Sequence, residues 1–339
     1  MFRHRFCLGV LVLAVMGLIA IGCDNSGQSG KVQPGATTGQ SSAAGATLDI
    51  AVIPKGTTHS FWKAVEAGAR KAQAELGVNV IWRGPLKEND RQQQIDIVQQ
   101  FISEGVDGIV LAPLDDTALR RPVQSAMGSG IPVVIFDSGL KGEPGKDFIS
   151  FVATNNRLGG AMAGEALAKE LGGRGKVVLL RYQEGSASTT ERETGFLEAL
   201  RKYPEIQVIS ENRYAGATTD DAMKASMQLL DQLQAADGIF CPNESSTHGM
   251  LLALRQAQLA GKKKFVGFDA SAPLIDALRK GEIAALVSQD PMKMGYLGVK
   301  TLVSHIKGEK VEPVIDTGVQ LLTRENLDTP EIKALISTQ

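Results

Sequence analysis

The sequence predicts an α/β protein with two doubly wound lobes, each built on a mainly parallel β-sheet. From Leu48 onward, short and almost continuously apolar segments alternate with segments of helical periodicity. Parallel strands that are buried on both faces have this apolar character. The alternation runs in two series that divide near Asn155, and a chain of 339 residues is long enough for two domains. Abundant glycine (37 residues) and scarce aromatic residues (5%) suit many tight strand–helix turns.

The first series contains four predicted strands connected by helices. Each strand is a short apolar segment, and Pro54 directly follows the first one. Each helix has apolar residues three and four positions apart, which places them on one face. The predicted order is strand Leu48–Ile53, helix Phe61–Leu76, strand Val78–Trp82, helix Asp90–Glu104, strand Gly108–Ala112, helix Ala118–Met127 and strand Ile131–Phe136.

The second series repeats the pattern and begins with a helix. Its predicted order is helix Leu158–Leu171, strand Lys176–Leu180, helix Thr189–Lys202, strand Ile206–Ser210, helix Asp220–Gln234, strand Gly238–Cys241, helix Ser246–Leu259, strand Lys264–Phe268, helix Ala272–Lys280 and strand Ala284–Ser288. A helix at Gly295–Ile306 and a strand at Gln320–Leu322 remain to be distributed between the lobes. Right-handed crossovers are the expected connection between successive parallel strands.

Composition and motifs argue against several classes of protein. Thirty-six basic and 37 acidic residues give a net charge of −1, which lacks the basic excess of nucleic-acid-binding proteins. A mean hydropathy near zero excludes a protein with many membrane spans. The common catalytic motifs are absent, including nucleophile elbows, phosphate-binding loops and zinc-protease helices. We therefore expect a binding protein rather than an enzyme, with no cofactor and no metal.

The first 47 residues predict export and a tether. Arg3 and Arg5 precede an apolar segment that extends to Ile21, which is typical of a signal peptide over residues 1–22. A small residue directly before Cys23 resembles a bacterial lipobox, so we expect Cys23 to carry lipid; cleavage elsewhere and an uncleaved anchor are the alternatives. Residues 23–47 lack bulky apolar side chains and predict a flexible linker.

Polar and aromatic side chains follow the carboxyl ends of the strands in both series. Ligands of open α/β sheets bind at these ends, and hydroxyl-rich ligands need the donors and acceptors that Asp, Asn, Gln and Arg supply. Alternatives remain open: the Asp and Asn residues are also good helix N-caps, Arg192 has acidic neighbours, and the aromatic residues suit a core. The candidate binding residues are His59, Phe61, Trp62, Asp137, Arg192, Tyr214, Asn243, Asp269 and Gln289.

Taken in order, these residues resemble the ribose-type periplasmic sugar-binding proteins, the type I solute receptors of ABC importers. The resemblance rests on Phe61-Trp62…Gly68, Gly130-Ile131-Pro132-Val133-Val134…Asp137, Asn155-Asn156…Gly159-Gly160, Arg192-Glu193-Thr194-Gly195-Phe196, Asn243-Glu244, Val266-Gly267-Phe268-Asp269 and Gln289-Asp290-Pro291…Gly295. It implies three hinge crossings, near Thr154, Gln289 and Asp316. It also implies an N-terminal lobe of residues 48–153 with 291–315 and a C-terminal lobe of residues 154–289 with 317–339.

The resemblance further implies the function and the partners. It implies that Phe61, Trp62, Asp137, Arg192, Asn243, Asp269 and Gln289 contact a sugar, which a monomeric, lipid-anchored, extracytoplasmic receptor delivers to an ABC permease. Ser138, Ala112-Pro113 and His59 stand where the ribose receptors have Arg, Asn and Asn, so the first-lobe half of the site differs. A sensory receptor for a sugar-like or furanosyl signal is the main alternative. A transcription regulator is disfavoured, because the predicted signal peptide and linker occupy the place of a DNA-binding domain before Leu48. A glycosidase needs Asp137 and Asp269 to act as an acid–base pair.

Overall fold

The computed structural model describes residues 47–337 of the chain. The predicted signal peptide, Cys23 and the predicted linker up to residue 46 lie outside these described residues. In chain order the elements are β1 (Asp49–Ile53), α1 (Ser60–Leu76), β2 (Asn79–Trp82), α2 (Arg91–Glu104), β3 (Gly108–Leu111), α3 (Arg120–Gly128), β4 (Val133–Phe136), β5 (Ser150–Ala153), α4 (Asn156–Glu170), β6 (Arg174–Arg181), α5 (Ala187–Leu200), β7 (Glu205–Tyr214), α6 (Thr219–Met227), α7 (Leu230–Ala235), β8 (Gly238–Phe240), α8 (Glu244–Gln256), β9 (Lys264–Phe268), α9 (Ala272–Lys280), β10 (Ala285–Ser288), α10 (Pro291–Ile306), β11 (Val314–Asp316), β12 (Gln320–Leu322) and α11 (Pro330–Ile336).

Two six-stranded sheets form the two lobes and share one strand order. The first sheet is β11-β5-β4-β3-β1-β2, and all of its pairings are parallel. The second sheet is β12-β10-β9-β8-β6-β7, and only its pairing of β10 with β12 is antiparallel. The strand order reverses beside β1 in one sheet and beside β6 in the other. This confirms the predicted pair of doubly wound lobes.

Each sheet is covered with apolar side chains on both faces. Alternate residues of one strand enter different core clusters: Ile50 and Val52 pack on one face of the first sheet, and Ala51 and Ile53 pack on the other. The second sheet has the same two-sided burial. Burial on both faces explains why these strands are continuously apolar rather than alternating in the sequence.

The chain passes between the lobes three times, as the resemblance implies. It leaves the first sheet after β5, returns from β10 through α10 to β11, and leaves again to form β12. The assignment of every residue to a lobe remains a prediction. Among residues 47–337, no helix combines the length and apolar character needed to cross a membrane.

Close helix packing in each lobe depends on glycine. A Cβ atom on Gly68 of α1 would lie 1.9 Å from the Met292 carbonyl oxygen of α10, and one on Gly295 would lie 2.0 Å from the Val65 carbonyl oxygen. In the second lobe, a Cβ on Gly160 of α4 would lie 1.9 Å from the Arg192 carbonyl oxygen of α5. Both helix pairs therefore pack backbone against backbone.

The structure differs from the predicted elements in four places, one of which is helix α11, which was not predicted. Strands β5 and β11 were not predicted, because β5 begins with the polar Ser150 and β11 is a three-residue edge strand that follows Pro313. Strand β7 extends to Tyr214 rather than ending at Ser210. The predicted helix Asp220–Gln234 is two helices, since Leu229 departs from helical backbone angles.

Candidate functional site

The carboxyl ends of both sheets face a common cleft between the lobes. Asp137 directly follows β4 of the first sheet, and Asp269 directly follows β9 of the second. Each follows a buried Phe, and each has a left-handed backbone, with φ of 60° and 70°. Their backbone N–H groups continue the sheets by donating to the carbonyl oxygens of Val152 and Val287. Asp tolerates this backbone region better than most residues, so the positions suit aspartate.

The cleft encloses a cavity of about 30 Å³. Eight of the nine candidate binding residues line it, including Asp137 and Asp269 from opposite lobes. The full lining is Lys55, His59, Phe61, Trp62, Glu88, Asp137, Tyr182, Ser188, Thr189, Arg192, Asn243, Glu244, Asp269 and Gln289.

Tyr214 is the candidate residue that the structure does not bring into the cleft. It is the last residue of β7, where it pairs with Arg181 at the outer edge of the second sheet. Its side chain is 39% exposed, and it is not among the residues that line the cavity. Strand β7 runs four residues further than predicted, which leaves Tyr214 at the end of an edge strand rather than in a cleft loop.

A hydrogen-bonded chain of buried polar groups forms the second-lobe wall. Arg192 is 2% exposed; its Nη2 donates to Gln289 Oε1 at 2.7 Å, and Gln289 Nε2 donates to Asp269 Oδ1 at 2.8 Å. Arg192 also donates to Asn156 Oδ1 and to the Pro242 carbonyl oxygen, and its guanidinium lies 3.9 Å from the Phe268 ring centroid. These contacts fix the guanidinium in one orientation.

Burial perturbs the charged groups of this wall. Burial raises the pKa of Asp269 to about 6, although Arg192 and the hydrogen bond from Gln289 oppose the rise. Burial also lowers the pKa of Arg192 from its ordinary value. At both residues the effect of desolvation on the pKa exceeds the opposing effect of the partner groups, which is common in binding and catalytic clefts.

Asn243 is both a helix N-cap and a residue of the cavity lining, the two positions that the sequence left open. It is the N-cap of α8, where its side-chain oxygen accepts from the Ser246 N–H at 3.3 Å and its Nδ2 donates to Ser245 Oγ at 3.0 Å. It also lines the cavity. Asp269, in contrast, accepts from the backbone N–H of Glu244 and does not cap the helix that follows it.

Two aromatic rings form the first-lobe wall. Phe61 and Trp62 begin α1 and meet edge to face, with ring centroids 5.0 Å apart and planes at 85°. Trp62 also makes an edge contact with Phe136 of β4 at 6.1 Å. Both residues belong to the core and line the cavity, so the core and binding interpretations describe the same side chains.

Six polar residues that line the cleft were not among the candidates: Lys55, Glu88, Tyr182, Ser188, Thr189 and Glu244. Lys55 follows β1 by two residues, and its Nζ donates to Ser186 Oγ and Ser188 Oγ and pairs with Asp137 at 3.4 Å. The strand-end rule points to Lys55, since it is the first polar residue after β1. Glu88 and Tyr182 meet across the cleft, where the Tyr182 hydroxyl donates to Glu88 Oε2 at 2.8 Å. Glu88 lies six residues after the end of β2, and its position in the loop carries no comparable signal.

His59 and Glu88 form a buried ion pair, with 2.6 Å between Nδ1 and Oε1. Burial lowers the pKa of His59, but the charge of Glu88 and its hydrogen bond, together with Glu244 and Asp269, outweigh burial and raise the pKa to about 9. Burial likewise raises the pKa of Glu88, and His59, with Lys55 and the Trp62 N–H, lowers it to about 2. Both groups are therefore charged at neutral pH.

The two lobes touch directly around the cleft. The backbone N–H of Phe61 donates to Glu244 Oε2 at 3.1 Å, and that of Asp116 donates to the Gly185 carbonyl oxygen at 2.9 Å. Together with the contacts of Lys55 and Tyr182 to the opposite lobe, these bonds hold the cleft closed.

Comparison with known proteins identifies the family. A family model described as a periplasmic binding protein domain matches residues 50–310. The chain is 29% identical over 289 residues to the ribose import binding protein of Haemophilus influenzae, with 84% of this chain and 94% of the relative covered. It is 28% identical over 279 residues to the D-allose-binding periplasmic protein of Escherichia coli, with 81% and 89% covered.

Solved structures show the same relationship. A carbohydrate transporter solute binding protein from Agrobacterium radiobacter, in complex with D-arabinose, is 36% identical with a TM-score of 0.82, covering 86% of this chain and 99% of that one. An ABC transporter solute binding protein from Agrobacterium vitis with bound D-fucose is 34% identical with a TM-score of 0.82, covering 85% and 99%. The match to binding proteins confirms the prediction that the chain is not an enzyme. The chain belongs to the periplasmic binding protein family, and within it to the ribose-type proteins that its sequence resembles.

Proposed function

We propose that the protein captures a monosaccharide or similar small polyol in the cleft and delivers it to the permease of an ABC importer. One observation carries this proposal: carboxylate groups, a guanidinium group and aromatic rings from both lobes line one cavity in the cleft. The relatives named for ribose and D-allose, and the structures with D-arabinose and D-fucose, support the same ligand class. A monomer suffices, because one chain supplies both walls.

The chemistry of the two walls matches a sugar. Hydroxyl groups both donate and accept, so they are complementary to the Asp137 and Asp269 carboxylates and to the Arg192 guanidinium. Each charge-assisted hydrogen bond contributes about 1.5–3 kcal/mol, and micromolar affinity corresponds to about 8 kcal/mol. The C–H faces of a sugar ring pack against Phe61 and Trp62. A few such contacts are therefore enough to hold a small ligand.

The charge balance of the cleft favours a neutral ligand. Lys55 is paired with Asp137, His59 with Glu88, and Arg192 lies in the same network as Asp269. Each of these cations therefore has a carboxylate in its network, and Glu244, which also lines the cleft, accepts from the backbone N–H of Phe61. A ligand with a full charge would disturb this balance, whereas a polyol adds no charge.

A sugar panel tests the proposal. We expect D-ribose, D-allose, D-arabinose, D-fucose, xylitol or myo-inositol to raise the melting temperature, because a ligand that binds only the folded state stabilises it. Isothermal titration calorimetry then gives the affinity. Absence of any shift across the panel, together with no small molecule in native mass spectra of the purified protein, would contradict the proposal.

Two variants test the assignment of the binding residues. Arg192→Ala and Asp269→Ala should abolish the shift in melting temperature, because each removes a buried hydrogen-bonding group from the cleft. The matched controls are Arg255→Ala, which breaks a pair with Glu282, and Asp276→Ala, which breaks a surface pair with Lys280. Unchanged sugar affinity in both cleft variants would refute the assignment.

We also propose that lipid on Cys23 anchors the protein to a membrane outside the cytoplasm. The support is the small residue before Cys23 at the end of an apolar segment, and the polar linker that follows it. In a bacterial host, the wild-type chain should partition into the detergent phase of Triton X-114, and Cys23→Ser should move it to the aqueous phase. Equal partitioning of the two proteins would contradict the anchor.

A further inference from the structure

We propose that Glu88 is a positioning residue that fixes His59 as a cationic hydrogen-bond donor to the ligand and links this donor to cleft closure through Tyr182. The inference rests on the proposed function, because it assigns a role in ligand recognition. It concerns the first-lobe half of the site, where the sequence differs most from the ribose receptors. The strand-end pattern predicted His59, but it predicted neither Glu88 nor Tyr182.

The Glu88 carboxylate accepts three hydrogen bonds. Its Oε1 accepts from His59 Nδ1 at 2.6 Å and from Trp62 Nε1 at 2.8 Å, both in its own lobe. Its Oε2 accepts from the Tyr182 hydroxyl of the opposite lobe at 2.8 Å. Glu88 is only 6% exposed, and its backbone carbonyl oxygen accepts a further bond from Gln183. One carboxylate thus orients two side chains of the first cleft wall and one of the second.

The surroundings of His59 keep it protonated only because Glu88 is present. Burial opposes its charge; Glu88 from the loop after β2 is the strongest favourable partner, ahead of Glu244 of α8 and Asp269 after β9. Lys55, which follows β1, helps to keep Glu88 ionised. Without the Glu88 charge, only the weaker contributions of Glu244 and Asp269 oppose the effect of burial on the pKa of His59.

Protonation decides what His59 offers to a ligand. Its Nδ1 is occupied by Glu88, and its Nε2 has no hydrogen-bond partner within residues 47–337, although the side chain lines the cavity. In the imidazolium form Nε2–H is a donor, whereas in a neutral ring with Nδ1–H on Glu88 the Nε2 atom is an acceptor. Glu88 therefore selects ligands that place an oxygen acceptor, such as a hydroxyl oxygen, beside His59.

Tyr182 connects this selection to closure. Burial and the neighbouring Glu88 raise the pKa of Tyr182 well above its ordinary value, so its hydroxyl remains a donor. Tyr182 and Glu88 belong to different lobes, and opening of the cleft by a hinge motion breaks their bond. The same carboxylate that orients His59 thus gains a third donor when the cleft closes.

The first experiment needs no ligand. The full chain is labelled with ¹⁵N-histidine, and the imidazole signals are followed by NMR from pH 5.5 to 9.5, with His59→Gln to assign the signal. We expect wild-type His59 to stay protonated above pH 8. In Glu88→Gln its pKa should fall to about the ordinary value of 6.5 or below. Glu104→Gln, which removes a surface pair with Arg83, is the control and should change nothing.

Two NMR outcomes would overturn the proposal. One is a wild-type His59 that is already neutral at pH 7.5, and the other is the same titration in wild type and in Glu88→Gln. Circular dichroism of each variant verifies that it is folded. If Glu88→Gln does not fold, the wild-type titration still decides, because the proposal requires the imidazolium above pH 8.

The second experiment uses whichever sugar of the panel binds the wild type. Calorimetry between pH 7 and 8.5 avoids the titration of Asp269, whose pKa is about 6. Wild-type affinity should be constant, whereas the affinity of Glu88→Gln should fall several-fold over this interval, because the small fraction of its His59 that is still protonated at pH 7 disappears by pH 8.5. Tyr182→Phe should weaken binding equally at every pH. A pH-independent loss in Glu88→Gln would show a merely structural role and refute the proposal.

The two experiments separate the two claims. If no sugar of the panel binds, the proposed function fails, while the imidazole titration still decides whether Glu88 holds His59 in its charged form. If a sugar binds but its affinity in Glu88→Gln does not vary with pH, the function stands and the role of Glu88 is wrong.

Discussion

At the scale of single residues, Asp137 and Asp269 are equivalent positions of the two lobes. Each ends a buried strand, adopts a left-handed backbone and extends the sheet by one more hydrogen bond. Backbone conformations of this kind are concentrated at functional sites, where the surrounding structure enforces them. Their partners differ, because Asp137 pairs with Lys55 and Asp269 accepts from Gln289. The burial that raises the pKa of Asp269 has a measurable consequence.

We expect sugar affinity to fall on acidification with a midpoint near pH 6. Asp269 gains a proton as the pH falls through about 6, and the neutral acid loses acceptor capacity for sugar hydroxyls. Its effect on stability has the opposite sign: because its pKa is raised on folding, protonation between pH 6 and its ordinary value near 3.8 favours the folded state. Calorimetry from pH 5 to 8 measures the affinity.

Asp269→Asn is the control for this pH dependence. The variant should bind more weakly, and its remaining affinity should not change between pH 5 and 7. If the sugar affinity of Asp269→Asn still falls at acidic pH, the titration belongs to another group.

Most cleft residues were predictable from the sequence, for a physical reason. Parallel strands end at one edge of a sheet, so residues that follow them converge whatever the loops do, and this brought Asp137, Asn243, Asp269 and Gln289 together. Glu88 was not predictable, because it reaches the cleft through the path of a long loop. Tyr214 lies outside the cleft for the opposite reason, since its strand continues past the predicted end.

At the scale of elements, each lobe contains a helix pair that packs through a glycine contact. Gly68 and Gly295 bring α1 against α10, while Gly160 brings α4 against α5. The second contact lies beside the cleft, because the carbonyl group that Gly160 approaches is that of Arg192, a lining residue. The helices themselves were predictable from their periodicity. Strand β5 and the edge strand β11 were not, since β5 begins with the polar Ser150 and β11 has only three residues.

Gly160→Ala should lower both stability and sugar affinity. The added methyl group collides with the Arg192 backbone and moves α5; overpacking of this kind costs about 1–3 kcal/mol. Gly68→Ala should lower the melting temperature in the same way without displacing Arg192. Gly128→Ala is the helical control, because nothing lies within 4 Å of its Cβ position. If Gly160→Ala melts at the wild-type temperature, the helices move apart without a loss of stability, which would contradict the prediction.

At the scale of the whole molecule, closure brings loops of the two lobes into contact beyond the ligand. Gly185 has φ of 83°, and a Cβ atom there would lie 2.3 Å from Asp115 Oδ2 of the opposite lobe. Arg91 Nη2 donates to the Glu184 carbonyl oxygen beside it at 2.9 Å. The two lobes were predictable from the two series of elements, but this contact was not, because neither loop has a pattern that predicts its partner.

Gly185→Ala should weaken sugar binding by obstructing closure. We expect about a tenfold or larger loss of affinity, because overpacking costs about 1–3 kcal/mol and acts only on the closed form. Gly172→Ala is the matched control, since Gly172 also has positive φ, of 64°, but has no atom within 4 Å of its Cβ position. Small-angle X-ray scattering with sugar should show a larger radius of gyration for Gly185→Ala alone. Equal affinity in the two variants would contradict this account of closure.

The return of α10 to α1 has a consequence for how the chain folds. Residues after 290 supply the helix that covers α1 and the edge strand β11 of one lobe, and then the edge strand β12 of the other. Neither lobe is complete until almost the last part of the chain has been synthesised. A chain that stops at residue 290 lacks pieces of both lobes at once, so the two halves should assemble and melt together rather than as independent units.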